Sequence, residues 1–242
     1  MHKRGQVAVF VIIGIVILVV IGALFYMRGE GAGPDSSDEV AIDTSSLNAF
    51  VSSCAKQTAQ DAVVYTGLRG GVASPVDFVY FSGINMPAYF SEGSDNSPSM
   101  DTIESTLKYY MDNALKQCTN SLESFAQQGY DIEEGNVNSS VTIAEEEVIF
   151  EIDYPVTLIK DSSRETKSDF NAQANARIPA MNRTANEYIE EQKEKPNSFR
   201  LGSLMRIAEE NELKFETINR GDGEVVISLI DEDTIINGNP FI

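Results

Sequence analysis

The chain has 242 residues, and its 37 acidic and 18 basic side chains give a net charge of −19 at neutral pH. This balance argues against nucleic acid and anionic lipid as partners, because neither would be attracted. The single histidine is His2, so the rest of the sequence holds no Ser-His-Asp or Cys-His nucleophile system and no histidine ligand for zinc. We therefore expect a protein that is not an enzyme and that needs no cofactor or metal.

The N-terminal region predicts a membrane anchor. No residue between Arg4 and Arg28 is charged, and a run of this length crosses a bilayer core as a helix. Lys3 and Arg4 precede the run, whereas residues 29–242 carry all 37 acidic residues and 15 of the 18 basic ones, a balance of −22. The positive-inside rule then places the N-terminus in the cytoplasm and residues 29–242 outside, with the lipid bilayer contacted through residues 7–28.

These boundaries divide the chain into four parts. They are a short basic cytoplasmic N-terminus (1–6), a transmembrane helix (7–28), a flexible Gly/Ser/Asp linker (29–46) and an extracytoplasmic domain (47–242). A removed secretory signal is the main alternative for the apolar run. Such signals end at a small-residue site, whereas this run ends in Phe25-Tyr26-Met27-Arg28.

The start of the anchor carries a short motif. Lys3-Arg4-Gly5-Gln6 before an uninterrupted apolar helix resembles the class III signal peptides of archaeal type IV pilin-like proteins. The resemblance implies cleavage by a prepilin peptidase between Gly5 and Gln6, with the apolar helix kept for assembly. Two features depart from that family: Phe10 stands where many pilins carry Glu, and the Gly-rich residues 29–34 end the helix early. A plain single-pass anchor is the other interpretation.

The two cysteines predict a disulfide bond. Cys54 and Cys118 both lie in the segment placed outside, and each falls on the apolar stripe of a predicted helix. Thiols outside the cytoplasm are usually oxidised, so we expect the two to be joined. Two buried free thiols are the alternative.

Apolar periodicity predicts an α+β domain after the linker. Helical spacing covers residues 47–66, 99–129, 179–195 and 198–213, the second as one continuous helix with Ser99 or Asp101 as its cap. We expect strands at 76–81 and 85–89. Alternating patterns predict a three-stranded antiparallel meander over 137–178 and a hairpin of 214–218 with 224–230. The fold expected is one transmembrane helix followed by an extracytoplasmic domain in which a β-meander and hairpins pack against amphipathic helices.

The layout is also similar to a group of archaeal single-pass membrane proteins that have no assigned activity. The shared features are an early helix with a cysteine, Leu68-Arg-Gly-Gly71, a second helix with a cysteine, Tyr154-Pro155 in a strand and an Asp-rich closing hairpin. In that group the chain continues past the segment that corresponds to Asn239-Pro240-Phe241.

Two segments match lysine-assisted serine chemistry. Ser53 with Lys56, and Ser105 with Lys108, both fit Ser-x-x-Lys, and Ser94-Asp95-Asn96 matches a second motif of penicillin-recognising enzymes. The third motif, Lys-Thr-Gly, is absent from the sequence. We interpret these matches as chance.

Other short patterns have an ordinary and a functional interpretation. The acidic runs 145–147 and 231–233 are solvated turns or Ca²⁺ ligands, although neither has EF-hand spacing. Asn138 and Asn182 begin glycosylation sequons. Arg220-Gly221-Asp222 matches an adhesion tripeptide but is also common hairpin-turn chemistry.

The sequence supports three hypotheses in a definite order. The first is a membrane-anchored cell-surface protein whose outer domain binds or assembles, as a homo-oligomer or with other surface proteins. The second is a type IV pilin-like subunit processed after Gly5 and assembled through its apolar helix. The third is a hydrolase that uses paired carboxylates, as glycosidases do. The sequence names no ligand.

Overall fold

The computed structural model describes residues 42–242 apart from Asp222. The predicted processing site at Gly5-Gln6, the predicted transmembrane helix 7–28 and most of the predicted linker 29–46 lie outside the described residues. Within residues 42–242, no helix combines the length and the apolar character that a membrane crossing requires. The described domain is α+β with antiparallel sheets, which confirms that part of the predicted fold class.

Two long helices form the first layer of the domain. Helix α1 (Ser45–Leu68) begins two residues before the predicted start, and its buried side chains are mostly small or β-branched. Two short hairpins follow, with strands β1 (Phe78–Phe81), β2 (Ile84–Pro87), β3 (Phe90–Ser91) and β4 (Ser94–Asp95). Helix α2 (Met100–Thr119) then packs beside α1. Its cap is Ser99, as predicted: the Ser99 Oγ accepts a hydrogen bond from the Thr102 N–H at 3.2 Å.

The predicted continuous helix up to Gly129 was wrong. The chain leaves α2 at Asn120, whose φ is +45°, makes a 3₁₀ turn (Asn120–Leu122), and resumes as the short helix α3 (Glu123–Ala126). Leu122 and Phe125 are nevertheless buried. Their helical spacing runs across the break, so periodicity alone could not reveal where the helix ends.

The second layer is a four-stranded antiparallel sheet. Its strands are β5 (Asp131–Glu134), β6 (Asn138–Ile143), β7 (Glu147–Lys160) and β8 (Ser163–Asn175). Strand β7 is central, with β8 along one side and β5 and β6 sharing the other. The predicted meander is therefore confirmed, and the acidic strand β5 is an addition to it.

The sheet turns one face to the helices. Buried side chains alternate along β7 and β8 on that face: Val148, Phe150, Ile152, Tyr154, Val156, Leu158, Phe170, Ala172 and Ala174. The register of β7 against β8 shifts between Asp153 and Val156. Pro155 lies in this bulge, where its missing N–H costs no ladder hydrogen bond.

The C-terminal part adds two helices and a three-stranded sheet. These are α4 (Ile178–Glu194), α5 (Leu201–Glu210), β9 (Lys214–Gly221), β10 (Glu224–Ile236) and β11 (Asn239–Phe241). Both predicted helices and the predicted hairpin are confirmed. Strand β11 was not predicted. It follows the turn at Asn237-Gly238, where both residues have positive φ as a type I′ hairpin requires.

Strand β11 returns the chain to the end of α1. Phe241 is buried in the main core, and a Cβ added to Gly67 would lie 2.0 Å from the Ile242 carbonyl oxygen and 2.8 Å from the Phe241 ring. Gly67 therefore lets the C-terminal strand approach the helix closely.

We predict that Gly67→Ala lowers the free energy of unfolding by about 1–3 kcal/mol, because the added methyl group displaces β11. Thermal unfolding measures the change. Gly202→Ala is the matched control, since a Cβ at Gly202 in α5 would meet nothing within 4 Å. This control should keep or slightly raise the stability because alanine favours a helix. Equal melting temperatures for the two variants would contradict the predicted contact.

Candidate interaction groove and the predicted sites

The predicted cysteine pair is present as a disulfide. Cys54 on α1 and Cys118 on α2 are bonded, with their Cα atoms 5.6 Å apart. Cys54 is buried, but Cys118 lies on the exposed side of α2 near its end, so the prediction that both lie on apolar stripes holds only for Cys54. The bond fastens together the two helices that cover the sheet.

We predict that replacing both cysteines with serine lowers the free energy of unfolding by about 4 kcal/mol, the chain-entropy value for a loop of this length. The sequence separation of the two cysteines is 64 residues. Urea unfolding of the wild type with and without reductant measures the effect. The double variant is the control, because reductant should leave its transition unchanged; a wild type indifferent to reductant would contradict the prediction.

The serine–lysine matches do not form a catalytic arrangement. The Lys108 Nζ donates to Asp112 Oδ2 at 2.8 Å and to the Ser139 carbonyl oxygen at 2.6 Å. No hydrogen bond joins it to Ser105 in the part of the chain that the structure describes. Ser53 and Lys56 are both exposed on α1.

Ser94-Asp95-Asn96, which matched a motif of penicillin-recognising enzymes, belongs to the hairpin formed by β3 and β4. The Asp95 carboxylate accepts from the backbone and hydroxyl of Ser97 and pairs with Lys193 at 2.9 Å. Burial alone would raise the pKa of Asp95, but these hydrogen bonds and the lysine outweigh it and hold that pKa below its usual range. Asp95 thus serves as a structural link to α4.

Lys108 and Asp112 together bind the outward backbone groups of Ser139, near the start of β6. The Asp112 Oδ1 accepts from the Ser139 N–H at 2.8 Å and from the Ser139 hydroxyl at 2.7 Å. The Lys108 Nζ donates a hydrogen bond to the Ser139 carbonyl oxygen. Side chains of α2 therefore satisfy the backbone groups of Ser139, which β6 would otherwise present to another strand.

The acidic runs are used as structural links. In the first, Glu145 pairs with Arg183 at 3.0 Å. In the second, Asp231 is fully buried and accepts from Arg177 at 3.2 Å, while Glu232 pairs with Lys214. Among residues 42–242 other than Asp222, no group of three or more His, Cys, Asp or Glu side chains is arranged to hold a metal ion.

Arg220 and Gly221 of the Arg-Gly-Asp tripeptide end strand β9, and Asp222 lies outside the described residues. The Arg220 guanidinium donates to the Tyr80 carbonyl oxygen at 2.9 Å and lies 3.6 Å from the Glu224 carboxylate. This arginine therefore links the hairpin to β1.

The two sequons differ in exposure. Asn138 and Ser140 are exposed at the start of β6. Asn182 is half-buried inside α4, and the Thr184 hydroxyl of its sequon is fully buried, without a hydrogen-bond partner among the described residues. A glycosyltransferase could approach the first sequon and not the second.

We predict that glycan, in a host that glycosylates sequons, is attached at Asn138 and not at Asn182. Intact mass of the wild type should exceed the polypeptide mass, and Asn138→Gln should remove the excess. Asn182→Gln is the control and should leave the excess unchanged. Loss of the glycan from the second variant, or no glycan on the wild type, would contradict the prediction.

A groove of about 640 Å³ follows the free side of β8. Its walls are residues 171–175 of β8, Ile149 of β7, the end of β10 at Ile235 and Ile236, and three α1 side chains, Ser52, Lys56 and Gln60. The three are spaced four residues apart and therefore share one face of the helix. Lys56 is the only charged side chain among the described residues that line the groove.

At alternate residues of β8, the backbone N–H and C=O groups point into this groove. The Ala176 N–H donates to the Glu146 carbonyl oxygen at 2.9 Å, which marks this pair as a hydrogen-bonded pair of the ladder. Hydrogen-bonded and non-hydrogen-bonded pairs alternate in an antiparallel ladder. In the observed register, Asn171, Gln173 and Asn175 fall in non-hydrogen-bonded pairs with β7, so their N–H and C=O groups point away from it.

Sequence reasoning did not identify this groove. The alternation over residues 170–178 predicted the strand correctly, but a strand pattern does not say which strand of a meander ends at the edge. The one feature of the sequence that pointed to the groove is the pair Ala172 and Ala174, since small inward-facing residues let α1 pack closely against β8.

No protein-family model, curated protein or solved structure matches this chain.

Proposed function

We propose that this chain is a single-pass membrane protein that displays its α+β domain outside the cell and acts by binding or assembly rather than by catalysis. The observation that carries the proposal is the Cys54–Cys118 disulfide in a chain that begins with a long apolar run. Disulfides persist in oxidising compartments and are rare in the cytosol. The charge difference across the apolar run favours the same orientation.

The arrangement of polar side chains supports the non-enzymatic part. Lys108, the lysine of a Ser-x-x-Lys match, is hydrogen-bonded at the edge of β6, and the buried Asp231 is paired with Arg177. Groups that resemble catalytic residues in the sequence thus make structural contacts. The groove beside β8 offers backbone donors and acceptors, which suits a polypeptide partner.

The runner-up is a type IV pilin-like subunit, cut after Gly5 and assembled through residues 7–27. The motif Lys3-Arg4-Gly5-Gln6 favours it. Both functions assign the described domain to the outside of the cell and differ in what happens at the N-terminus.

We predict that the protein purified from its native membrane keeps residues 1–5, apart from Met1, and that its large domain is outside. Intact mass determines the N-terminus, and protease added to whole cells tests the orientation, with the same protease on lysed cells as control. A mass that begins at Gln6 would favour the pilin-like subunit. A domain protected in whole cells and cleaved only after lysis would contradict both functions.

A further inference from the structure

We propose that the free edge of β8 is a homodimer interface, at which residues 171–175 of two copies pair as antiparallel strands and join the two sheets into one. The partner in the assembly role proposed above is then a second copy of this chain. The inference rests on the proposed function only for the location of the domain outside the cell. The geometric argument depends on the sheet alone.

The sequence of the edge segment is symmetric. Residues 171–175 read Asn-Ala-Gln-Ala-Asn, the same in both directions. A two-fold axis at Gln173 places Gln173 opposite its own copy, and Asn171 opposite Asn175 of the second chain. An isologous interface requires this kind of self-complementary patch.

The alternation of outward-pointing backbone groups along β8 agrees with that axis. Asn171, Gln173 and Asn175 are the residues whose N–H and C=O groups point away from β7, so the three facing pairs would be hydrogen-bonded pairs. They would supply about six backbone hydrogen bonds. Their exposed amide side chains lie together on the outer face of the sheet, and Ala172 would lie opposite Ala174 beneath it.

Protection against edge pairing is uneven across the sheet. The first half of β8 carries four charged residues, Arg164, Glu165, Lys167 and Asp169. At the start of the β6 edge, Lys108 and Asp112 occupy the outward backbone groups of Ser139. Residues 171–175 have neither a charge nor a proline, the usual devices that keep an edge strand single.

Electrostatics favour this segment for contact between two acidic copies. The chain carries a net charge of −19, so most of its surface repels a second copy. The groove is lined by neutral side chains apart from Lys56. A strand interface of this length falls at the small end of specific interfaces, below about 1,200 Å², so we expect a weak dimer.

Engineered cysteines test both the dimer and its register on the full-length protein in detergent. In a hydrogen-bonded pair the facing Cα atoms are about 5.5 Å apart, within the range that a disulfide spans. Under mild oxidation, Gln173→Cys should therefore form a covalent dimer. Asn171→Cys alone and Asn175→Cys alone should form no covalent dimer, since like positions are about 14 Å apart, whereas a mixture of the two should cross-link.

Sedimentation over a concentration series tests the uncross-linked protein. Gln173→Lys puts two like charges opposite each other and should abolish the dimer. Thr142→Lys is the matched control. Thr142 is exposed on β6 and pairs with Ile149 of β7, which on its other side pairs with Gln173 of β8. It should dimerise like the wild type.

Three results would overturn the proposal. They are a wild type that stays monomeric throughout, equal loss of dimer in Thr142→Lys and Gln173→Lys, and cross-linking of Asn171→Cys alone as efficient as that of Gln173→Cys. A groove that accepts an extended peptide from another protein would give the first result. None of them alters the N-terminal mass or the orientation of the domain, so the proposed function is tested separately.

Discussion

The contact on which the C-terminal part of the structure depends is the ion pair between Arg177 and the buried Asp231. The guanidinium donates to the Asp231 carboxylate at 3.2 Å and to the Asn211 carbonyl oxygen at 3.0 Å. The Thr234 hydroxyl donates to the other carboxylate oxygen at 2.6 Å. Because Arg177 precedes α4 and Asn211 follows α5, one side chain joins the two helices to β10. A buried carboxylate without such partners would be strongly destabilising.

The position of Asp231 also determines the path of the last strand. Up to Ile230, β10 pairs with β9; from Asp231 onward it pairs with β11, with a bulge before Ile235. This change of partner carries Ile236 and Phe241 into the core formed by α1, α2 and the sheet. It also brings Ile235 to the groove beside β8. The acidic run that resembled a cation site is thus the point where β10 changes its pairing partner from β9 to β11.

Periodicity predicted most of the helices and strands because each has one buried face, as in β7 and α4. It failed where a local conformation interrupts an unbroken apolar pattern, as at Asn120. The sequence contained the turn signal for β11 in Asn237-Gly238, yet the short segment after it has no alternation of its own. The groove could not be predicted, since it depends on which strand lacks a neighbour and on how closely α1 approaches β8.

The domain contains two separate apolar clusters. The larger lies between α1, α2 and the sheet, whereas Tyr188, Ile189, Leu204 and Ile207 form a smaller one between α4 and α5. Regions with few buried contacts open at a lower free energy than the main core, in contiguous cooperative units. We therefore expect helices α4 and α5 to open together at a lower free energy than β7, so that their amide hydrogens exchange faster with solvent. Since Arg177 joins these two helices to β10 through Asp231 and Asn211, we expect the ion pair to oppose that opening.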